Sequence, residues 1–195
     1  MSTYQWGNRL PSLHSTRVIL RELEDRDASA LFSLFSDPEV MRYWSSRPMT
    51  DRAQAVRLLE DIREAFWDRR LFQWGIALPP HDEIIGTCTL FHFDVAHRRA
   101  EVGFALARPY WGTGLASEAL SAVLAFAFGT LGLHRVEADA DPRNERSLRL
   151  LERHGFRREG VLRERYHVGD EIQDAVFLGL LRSEWTGRTP DGRGG

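Results

Sequence analysis

Hydrophobic and polar residues along this chain follow two different spacings, which divide it into predicted strands and helices. Alternation with the period of a β-strand covers residues 17–23, 72–78, 83–91, 99–106, 135–140, 156–167 and 171–180. The wider spacing of an amphipathic helix covers residues 27–35, 50–69, 117–131 and 147–154. A break is predicted near Pro38, and Thr50 or Asp51 is a suitable cap for the second helix.

The order of these elements predicts the fold class. Strands dominate both ends of the chain, and the last two form a predicted hairpin, while a strand–helix–strand crossover lies in between. This order indicates an α+β fold, with a mixed central sheet of about seven strands flanked by helices, rather than a doubly wound sheet. One domain is expected over residues 14–185, between a flexible segment at 1–13 and a disordered tail at 186–195.

Composition restricts the class of protein. With 195 residues and 43% hydrophobic content, the chain can build one domain with a full core. Its net charge of −2 does not favour nucleic acid or an anionic membrane as a partner. The chain has a single cysteine, Cys88, and we see no secretory signal and no apolar run of membrane-spanning length, so a cytoplasmic protein is expected.

The loop at residues 108–116 is the most informative segment for function. It joins a predicted strand to a predicted helix and contains Gly112 and Gly114. Such glycines allow a tight turn that directs unpaired N–H groups at one point, where the helix dipole also favours negative charge. The loop therefore predicts a phosphate-bearing ligand, although a Gly-x-Gly turn before a helix is often only a tight connection.

Two common nucleotide motifs do not fit this loop. The chain contains no lysine, so the Gly-x-x-x-x-Gly-Lys-Ser/Thr motif is absent. A dinucleotide fingerprint places glycine or alanine where this chain has Ser117, and its later acidic residue is replaced by residues 131–134, Leu-Gly-Leu-His. The phosphate-bearing ligand is therefore expected to be neither a Walker-type nucleotide nor a dinucleotide.

Three blocks of sequence resemble the GNAT N-acetyltransferases, in particular the branch that contains RimJ and RimL. Residues 109–119 read Pro-Tyr-Trp-Gly-Thr-Gly-Leu-Ala-Ser-Glu-Ala, similar to the acyl-CoA loop of that branch. Residues 141–147 and 150–156 look like its Asn-x-x-Ser…Gly-Phe signature, and 16–21 like its opening block. The resemblance runs from about Thr16 to Trp185 and implies a GNAT-like (acyl-CoA N-acyltransferase) fold, with acetyl-CoA as co-substrate.

The resemblance also implies a set of cofactor-binding residues. The pyrophosphate is expected on backbone N–H groups of Trp111, Gly112, Thr113, Gly114, Leu115 and Ala116. The pantetheine arm is expected to pair like an extra strand with Phe104, Ala105 and Leu106, although these residues would also suit an ordinary core strand. Asn144 is expected to hydrogen-bond the same arm. The family often has glutamine or arginine at the position of Pro109, so here backbone amides should provide most of the binding.

Transfer of an acetyl group to an amine requires a group that removes the amine proton. An α-amino group titrates near 8 and a lysine amine near 10.4, so an N-terminal amine needs only modest help at neutral pH. Glu101 is the first candidate, acting directly or through water, because GNAT enzymes often carry a base on this strand. Glu137 and Asp139 are weaker candidates. The structural alternative is that Glu101 forms an ion pair with Arg99 or Arg135.

The departing thiolate can receive a proton from an acid, which in many GNAT enzymes is a tyrosine. The alignment places that position on Leu151, so the usual acid is missing. Ser147 stands where the RimL branch has a proposed substitute, but a serine here could instead cap the helix. Because a thiol titrates near 8.5, coenzyme A can also leave as thiolate with little help.

The predicted function is an acetyl-CoA-dependent N-acetyltransferase that works by direct transfer in a ternary complex. Its acceptor is predicted to be a primary amine, either a protein N-terminus or a small amine such as a polyamine-like metabolite. The alternative is a non-catalytic acyl-CoA-binding module that senses or docks partners. The histidines show no ligand spacing, so no metal is expected. A homodimer is a family expectation.

Overall fold

The computed structural model describes residues 6–187, which contain eight strands and five helices. The strands are β1 (Leu13–His14), β2 (Ile19–Arg21), β3 (Leu71–Leu78), β4 (Glu83–Asp94), β5 (Arg99–Leu106), β6 (Arg135–Ala140), β7 (Arg157–Val168) and β8 (Glu171–Leu181). The helices are α1 (Ala28–Ser36), α2 (Pro38–Met41), α3 (Arg52–Trp67), α4 (Leu115–Ala125) and α5 (Glu145–Arg153). A single π-helical turn, Phe126–Thr130, continues α4.

All eight strands belong to one mixed sheet with the order β1-β2-β3-β4-β5-β6-β8-β7. Neighbouring strands are antiparallel except β5 and β6, which are parallel and joined by the crossover through α4. The α+β class and the mixed sheet are therefore confirmed. The strand that the sequence pattern missed is β1, which has only two residues and is too short to show an alternation.

Helices pack on both faces of the sheet and create two hydrophobic clusters. The larger cluster lies against α4 and α5 and includes Trp74, Val136 and Leu120. The smaller one lies against α1 and α3 and includes Leu31, Leu59 and Ala105. Side chains of β5 therefore alternate between the two layers, as the strand period requires.

Local sequence signals explain where two of the helices, α3 and α2, begin. Asp51 caps α3, because its carboxylate accepts from the N–H groups of Ala53 and Gln54, and the Gln54 side chain accepts from Asp51 in return. Pro38 stands in the first turn of α2, where a missing N–H costs nothing, and Asp37 caps that helix. The break predicted near Pro38 thus contains one short additional helix.

The segment before β1 is attached to the domain. The Trp6 indole packs on Phe72 with ring centroids 4.0 Å apart, and its N–H donates to the Phe66 carbonyl at 2.9 Å. Leu10 is buried as well. Part of the segment 1–13, for which flexibility is predicted, is therefore packed onto the core; residues 1–5, and 188–195 of the predicted tail, lie outside the described residues.

Candidate active site

The parallel strands β5 and β6 separate part of the way along the sheet. They pair at three positions, Arg99 with Arg135, Ala100 with Val136, and Glu101 with Glu137. Beyond Glu101, β5 continues along β4 as far as Leu106, while β6 continues along β8 as far as Ala140. A cleft therefore opens between two strands in the middle of the sheet.

The backbone of β5 faces this cleft at alternate residues. The N–H of Ala107 donates to the Ile85 carbonyl at 2.8 Å, which fixes the alternation so that Ala105 also bonds toward β4. The polar groups of Phe104 and Leu106 consequently point into the cleft, where no strand pairs with them. Of the three residues predicted to bind pantetheine, Phe104 and Leu106 direct their backbone groups into the cleft, and Ala105 directs its own toward β4.

The loop from Trp111 to Gly114 lies at the end of β5 and leads into α4. Gly112 and Gly114 have φ of 75° and 84°, a left-handed conformation that favours glycine. Gly114 is the residue before α4, and no side chain of residues 6–187 caps the helix there. The first helical bond runs from the N–H of Glu118 to the Gly114 carbonyl, so the N–H groups of Leu115 and Ala116 precede the helical ladder.

One of the predicted N–H donors is already used within the protein. The N–H of Trp111 donates to the Arg108 carbonyl at 3.1 Å, in the turn Arg108–Tyr110 that precedes the loop. The remaining candidates are the N–H groups of 112–116. Trp111 lines the site through its side chain instead, since its indole N–H donates to the Leu106 carbonyl at 2.6 Å.

The ion pair between Arg17 and Glu118 supports this loop. The buried carboxylate of Glu118 accepts hydrogen bonds from the Arg17 guanidinium at 2.5 Å, from the Arg17 backbone N–H at 3.0 Å and from the Ser15 hydroxyl at 3.1 Å. Burial alone would raise the pKa of Glu118, but these hydrogen bonds outweigh it and the pKa is lowered. Arg17 also donates to the Thr113 carbonyl at 2.9 Å. Arg17, in the opening block at residues 16–21, thus holds the glycine loop in place.

The start of α5 closes the other side of the cleft. Asn144 caps the helix, because its side-chain oxygen accepts from the Ser147 N–H at 3.2 Å. The cap is therefore Asn144, and the alternative role of Ser147 as the cap is wrong; the Ser147 hydroxyl has no hydrogen-bond partner among the described residues. The Arg146 guanidinium lies 4.8 Å from the Trp111 ring centre, so the first turn of α5 contacts the glycine loop. Leu151 is fully packed in the core.

Carboxylates line the sheet face that carries α1 and α3, which we call the acid-bearing face. Glu101 shares it with Ala105, and Glu137 and Asp139 lie on the same side of β6. The ion-pair alternative considered for Glu101 applies to its neighbour instead: Arg99 and Arg135 both hold Glu137, each at 2.8 Å. The partner of Glu101 is Nδ1 of His92, one of the histidines whose spacing predicts no metal site.

Other charged groups around this face are also paired. The Tyr166 hydroxyl donates to Asp139 at 2.5 Å, and burial, reinforced by that carboxylate, raises the pKa of Tyr166 to about 12. Arg143 bonds both Asp141 and Glu171, and Arg108 lies 3.3 Å from Asp37. Neither of these arginines is therefore a free cation for phosphate.

A contact between α4 and α5 was not predictable from residue patterns. The Ser117 hydroxyl lies 2.9 Å from Nε2 of His154, across 37 positions of sequence. Burial lowers the pKa of His154 to about 4, with a smaller effect of the Arg153 charge. No motif links these two residues, and only the packing of the two helices brings them together.

Within residues 6–187, no group of three or more histidine, cysteine or acidic residues is arranged to hold a metal ion. None of the helices in that part of the chain combines the length and the apolar composition that a membrane span requires.

The cleft between β5 and β6, the glycine loop at the start of α4 and the backbone groups of β5 between them form a site suited to an extended phosphate-bearing ligand. This is the architecture of an acyl-CoA-dependent acyltransferase. Comparison with known proteins gives the family. The acetyltransferase (GNAT) domain model matches residues 17–157, and the chain therefore belongs to the GNAT family.

Relatives of this chain share most of its length. The uncharacterized N-acetyltransferase YoaA of Bacillus subtilis is 39% identical over 172 residues, which are 88% of this chain and 97% of that protein. Spermidine N(1)-acetyltransferase of Escherichia coli is 26% identical over 176 residues, 90% of this chain and 91% of that protein. RimJ of Mycobacterium smegmatis, solved in complex with CoA-disulfide, superposes with a TM-score of 0.80 at 25% identity, covering 90% of this chain and 89% of RimJ. The chain is thus an acetyl-CoA-dependent N-acetyltransferase.

Proposed function

We propose that this enzyme acetylates the N-terminal amine of a protein or peptide, by direct transfer from acetyl-CoA in a ternary complex. The observation that carries this choice is the pairing of every carboxylate described above on the acid-bearing face. Glu101, Glu137 and Asp139 are held by His92, by two arginines and by Tyr166, respectively. A polyamine needs several free carboxylates for its several charges, and an N-terminal peptide carries only one charged amine.

A neutral polar group on the same face supports a peptide acceptor. Gln173 is the cross-strand partner of Tyr166 and therefore points to the face on which Tyr166 meets Asp139. Its side chain is 4% exposed and makes no hydrogen bond with the described residues. An amide that both donates and accepts complements a peptide group, and it offers a second ammonium only one neutral acceptor.

The donor is proposed to lie in the cleft between β5 and β6. Its pyrophosphate would accept from N–H groups of Gly112, Thr113, Gly114, Leu115 and Ala116, at the positive end of α4. The pantetheine arm would pair with the N–H and carbonyl of Phe104 and with the N–H of Leu106, whose carbonyl already accepts from the Trp111 indole. The side-chain nitrogen of Asn144, whose oxygen is used as the helix cap, remains available for the same arm.

The transfer forms a C–N bond and breaks the C–S bond of the thioester. Glu101 is proposed to supply the negative charge that draws a proton from the amine, directly or through water. Ser147 is proposed to donate a proton to the departing thiolate, since its hydroxyl has no hydrogen-bond partner within residues 6–187. Because a thiol is itself a moderately good leaving group, the contribution of Ser147 is expected to be the smaller one.

Release of free thiol from acetyl-CoA tests this proposal. We expect kcat/KM for peptides with a free N-terminus to exceed that for spermidine at least tenfold, with N-terminally blocked peptides inactive. Glu101→Gln should lower kcat roughly 100-fold and Ser147→Ala less than tenfold, without weakening acetyl-CoA binding. Glu145→Gln, an exposed acid on α5, is the matched control. Faster turnover of spermidine than of every peptide would contradict the proposed acceptor.

A further inference from the structure

The contact between Glu101 and His92 is the feature of the acid-bearing face that the proposed chemistry leaves unexplained. Nδ1 of His92 on β4 is hydrogen-bonded to Oε2 of Glu101 on β5. The two side chains differ sharply in exposure, 13% for Glu101 and 70% for His92. The pair therefore connects a nearly buried carboxylate with solvent.

An irregularity in β4 produces this contact. Phe91 is the cross-strand partner of Glu101, so in a regular strand the next residue, His92, would point to the opposite face. The pairing of β4 with β5 shifts between Phe91 and Asp94, and His92 has φ of 50°. β-Bulges of this kind redirect a side chain, and here the bulge brings the imidazole to the side of Glu101.

The left-handed backbone of His92 is an unfavourable conformation for a residue with a side chain. Such a conformation persists where the surroundings enforce it. The neighbouring charges are balanced without His92, because Glu137 is held by Arg99 and Arg135, and Asp94 is paired with Arg99. The bulge thus places the His92 imidazole within hydrogen-bond distance of the Glu101 carboxylate, and no other neighbouring charge among residues 6–187 requires it there.

We propose that Glu101 and His92 form the proton-accepting unit of the transferase, with the amine proton resting on Nε2 of His92. The inference rests on the proposed function and specifies how Glu101 acts in it. The Glu101 carboxylate holds the Nδ1–H, which leaves the lone pair of Nε2 free, and it stabilises the positive imidazolium that forms. Imidazole is suited to this task, since it takes up and releases a proton under physiological conditions.

The proton balance of one turnover is complete with this pair and Ser147. The ammonium of the acceptor gives one proton to Nε2 of His92, directly or through water, and the neutral amine attacks the thioester carbon. As the C–N bond forms and the C–S bond breaks, the sulfur keeps the electron pair of the C–S bond and receives the proton of the Ser147 hydroxyl, and the extra proton of the new amide nitrogen is returned to Ser147. The exposed imidazolium then returns the first proton to solvent.

Three variants separate the proton-accepting role from a structural one. His92→Asn keeps an N–H donor near the position of Nδ1 and tolerates positive φ, but it has no second nitrogen. His92→Gly fits the same backbone and leaves space for added imidazole. His97→Asn, at an exposed histidine in the turn after β4, is the control because the described contacts of His97 are only with Asp94.

With a peptide acceptor, we expect His92→Asn and His92→Gly to lower kcat on the order of 100-fold, with unchanged affinity for acetyl-CoA. Imidazole in the buffer should restore turnover of His92→Gly several-fold and leave Glu101→Gln unaffected. Wild-type kcat in His92→Asn would overturn the inference while leaving the proposed function intact. An absence of turnover by the wild type on every peptide and amine would overturn both.

Discussion

The buried imidazole of His154 couples the position of α5 to that of α4, the helix that starts at the glycine loop. Its Nε2 lies 2.9 Å from the Ser117 hydroxyl, and burial, together with Arg153, lowers its pKa to about 4. The side chain is therefore neutral in the folded protein at any pH above that value. In the unfolded chain a histidine titrates near 6.5.

Stability should consequently depend on pH through His154. Between pH 6.5 and about 4 the unfolded state binds a proton that the folded state does not, so the free energy of unfolding decreases as pH falls through this window. The loss is at most about 3 kcal/mol. Denaturant unfolding of His154→Gln between pH 7 and pH 4.5 should show a shallower dependence than the wild type. The exposed His134→Gln is the control, and equal slopes in all three proteins would contradict the assignment.

How well the role of a single residue could be predicted depended on how strongly its residue type restricts the local structure. Glycines before a helix indicated their own backbone conformation, and Gly112 and Gly114 adopt it. For Glu101, residue type indicated a costly acid that needs a partner, but it could not indicate which partner. Its contact with His92 depends on a bulge in the neighbouring strand, and no local residue preference marks that bulge.

At the scale of elements, the glycine loop and α4 act as one anion-binding unit. A Cβ at Gly112 meets no atom within 4 Å, so a side chain there is opposed by the backbone conformation rather than by a clash. At Gly114 it would lie 3.0 Å from the Arg17 guanidinium, which also supports the loop. Both positions therefore need glycine for the loop geometry, and the core does not depend on them.

Gly112→Val and Gly114→Val should each weaken acetyl-CoA binding at least tenfold, because a valine at positive φ forces the loop to rearrange. Calorimetric titration measures the affinity, and circular dichroism checks that the fold is retained. Gly160→Val is the matched control, since Gly160 lies on β7 with open space around it and no positive φ. Wild-type affinity in both loop variants would refute the loop as the pyrophosphate site.

Long, strongly patterned elements were predicted well, and their ends less well. The predicted helix 50–69 corresponds to α3, Arg52–Trp67, and the predicted strand 99–106 to β5. The helix predicted from Ser147 begins two residues earlier, at Glu145, because Asn144 rather than Ser147 is the cap. Several residues near a helix start can cap it, and their tertiary contacts decide which of them does so.

At the scale of the whole molecule, the donor site joins two parts of one sheet. Strands β1 to β5 lie on one side of the cleft and β6, β8 and β7 on the other, with only three paired positions between them. A ligand that pairs with β5 and also contacts α4 and α5 would link the two sides. Its binding should therefore be visible as stabilisation of the entire fold.

Acetyl-CoA at 100 times its Kd should add about 2.7 kcal/mol to the free energy of unfolding. For a protein of this size that corresponds to a rise in Tm of roughly 5–10 °C. Differential scanning fluorimetry with acetyl-CoA, coenzyme A, ATP and NAD measures the effect. Protection by ATP or NAD without protection by coenzyme A would contradict the donor site. The expected homodimer stays a prediction at this scale.

The sequence by itself determined the family, the α+β class, the position of the glycine loop and the candidate residues Glu101, Asn144 and Ser147. These follow from signals that are local in the chain: residue spacing, glycine conformation and ordered motifs. Only the tertiary structure decided which side chains meet across the sheet. The pairing of the acids, the contact of His92 with Glu101 and the support of the loop by Arg17 depend on strand register, a bulge and long-range packing, which no short segment of sequence encodes.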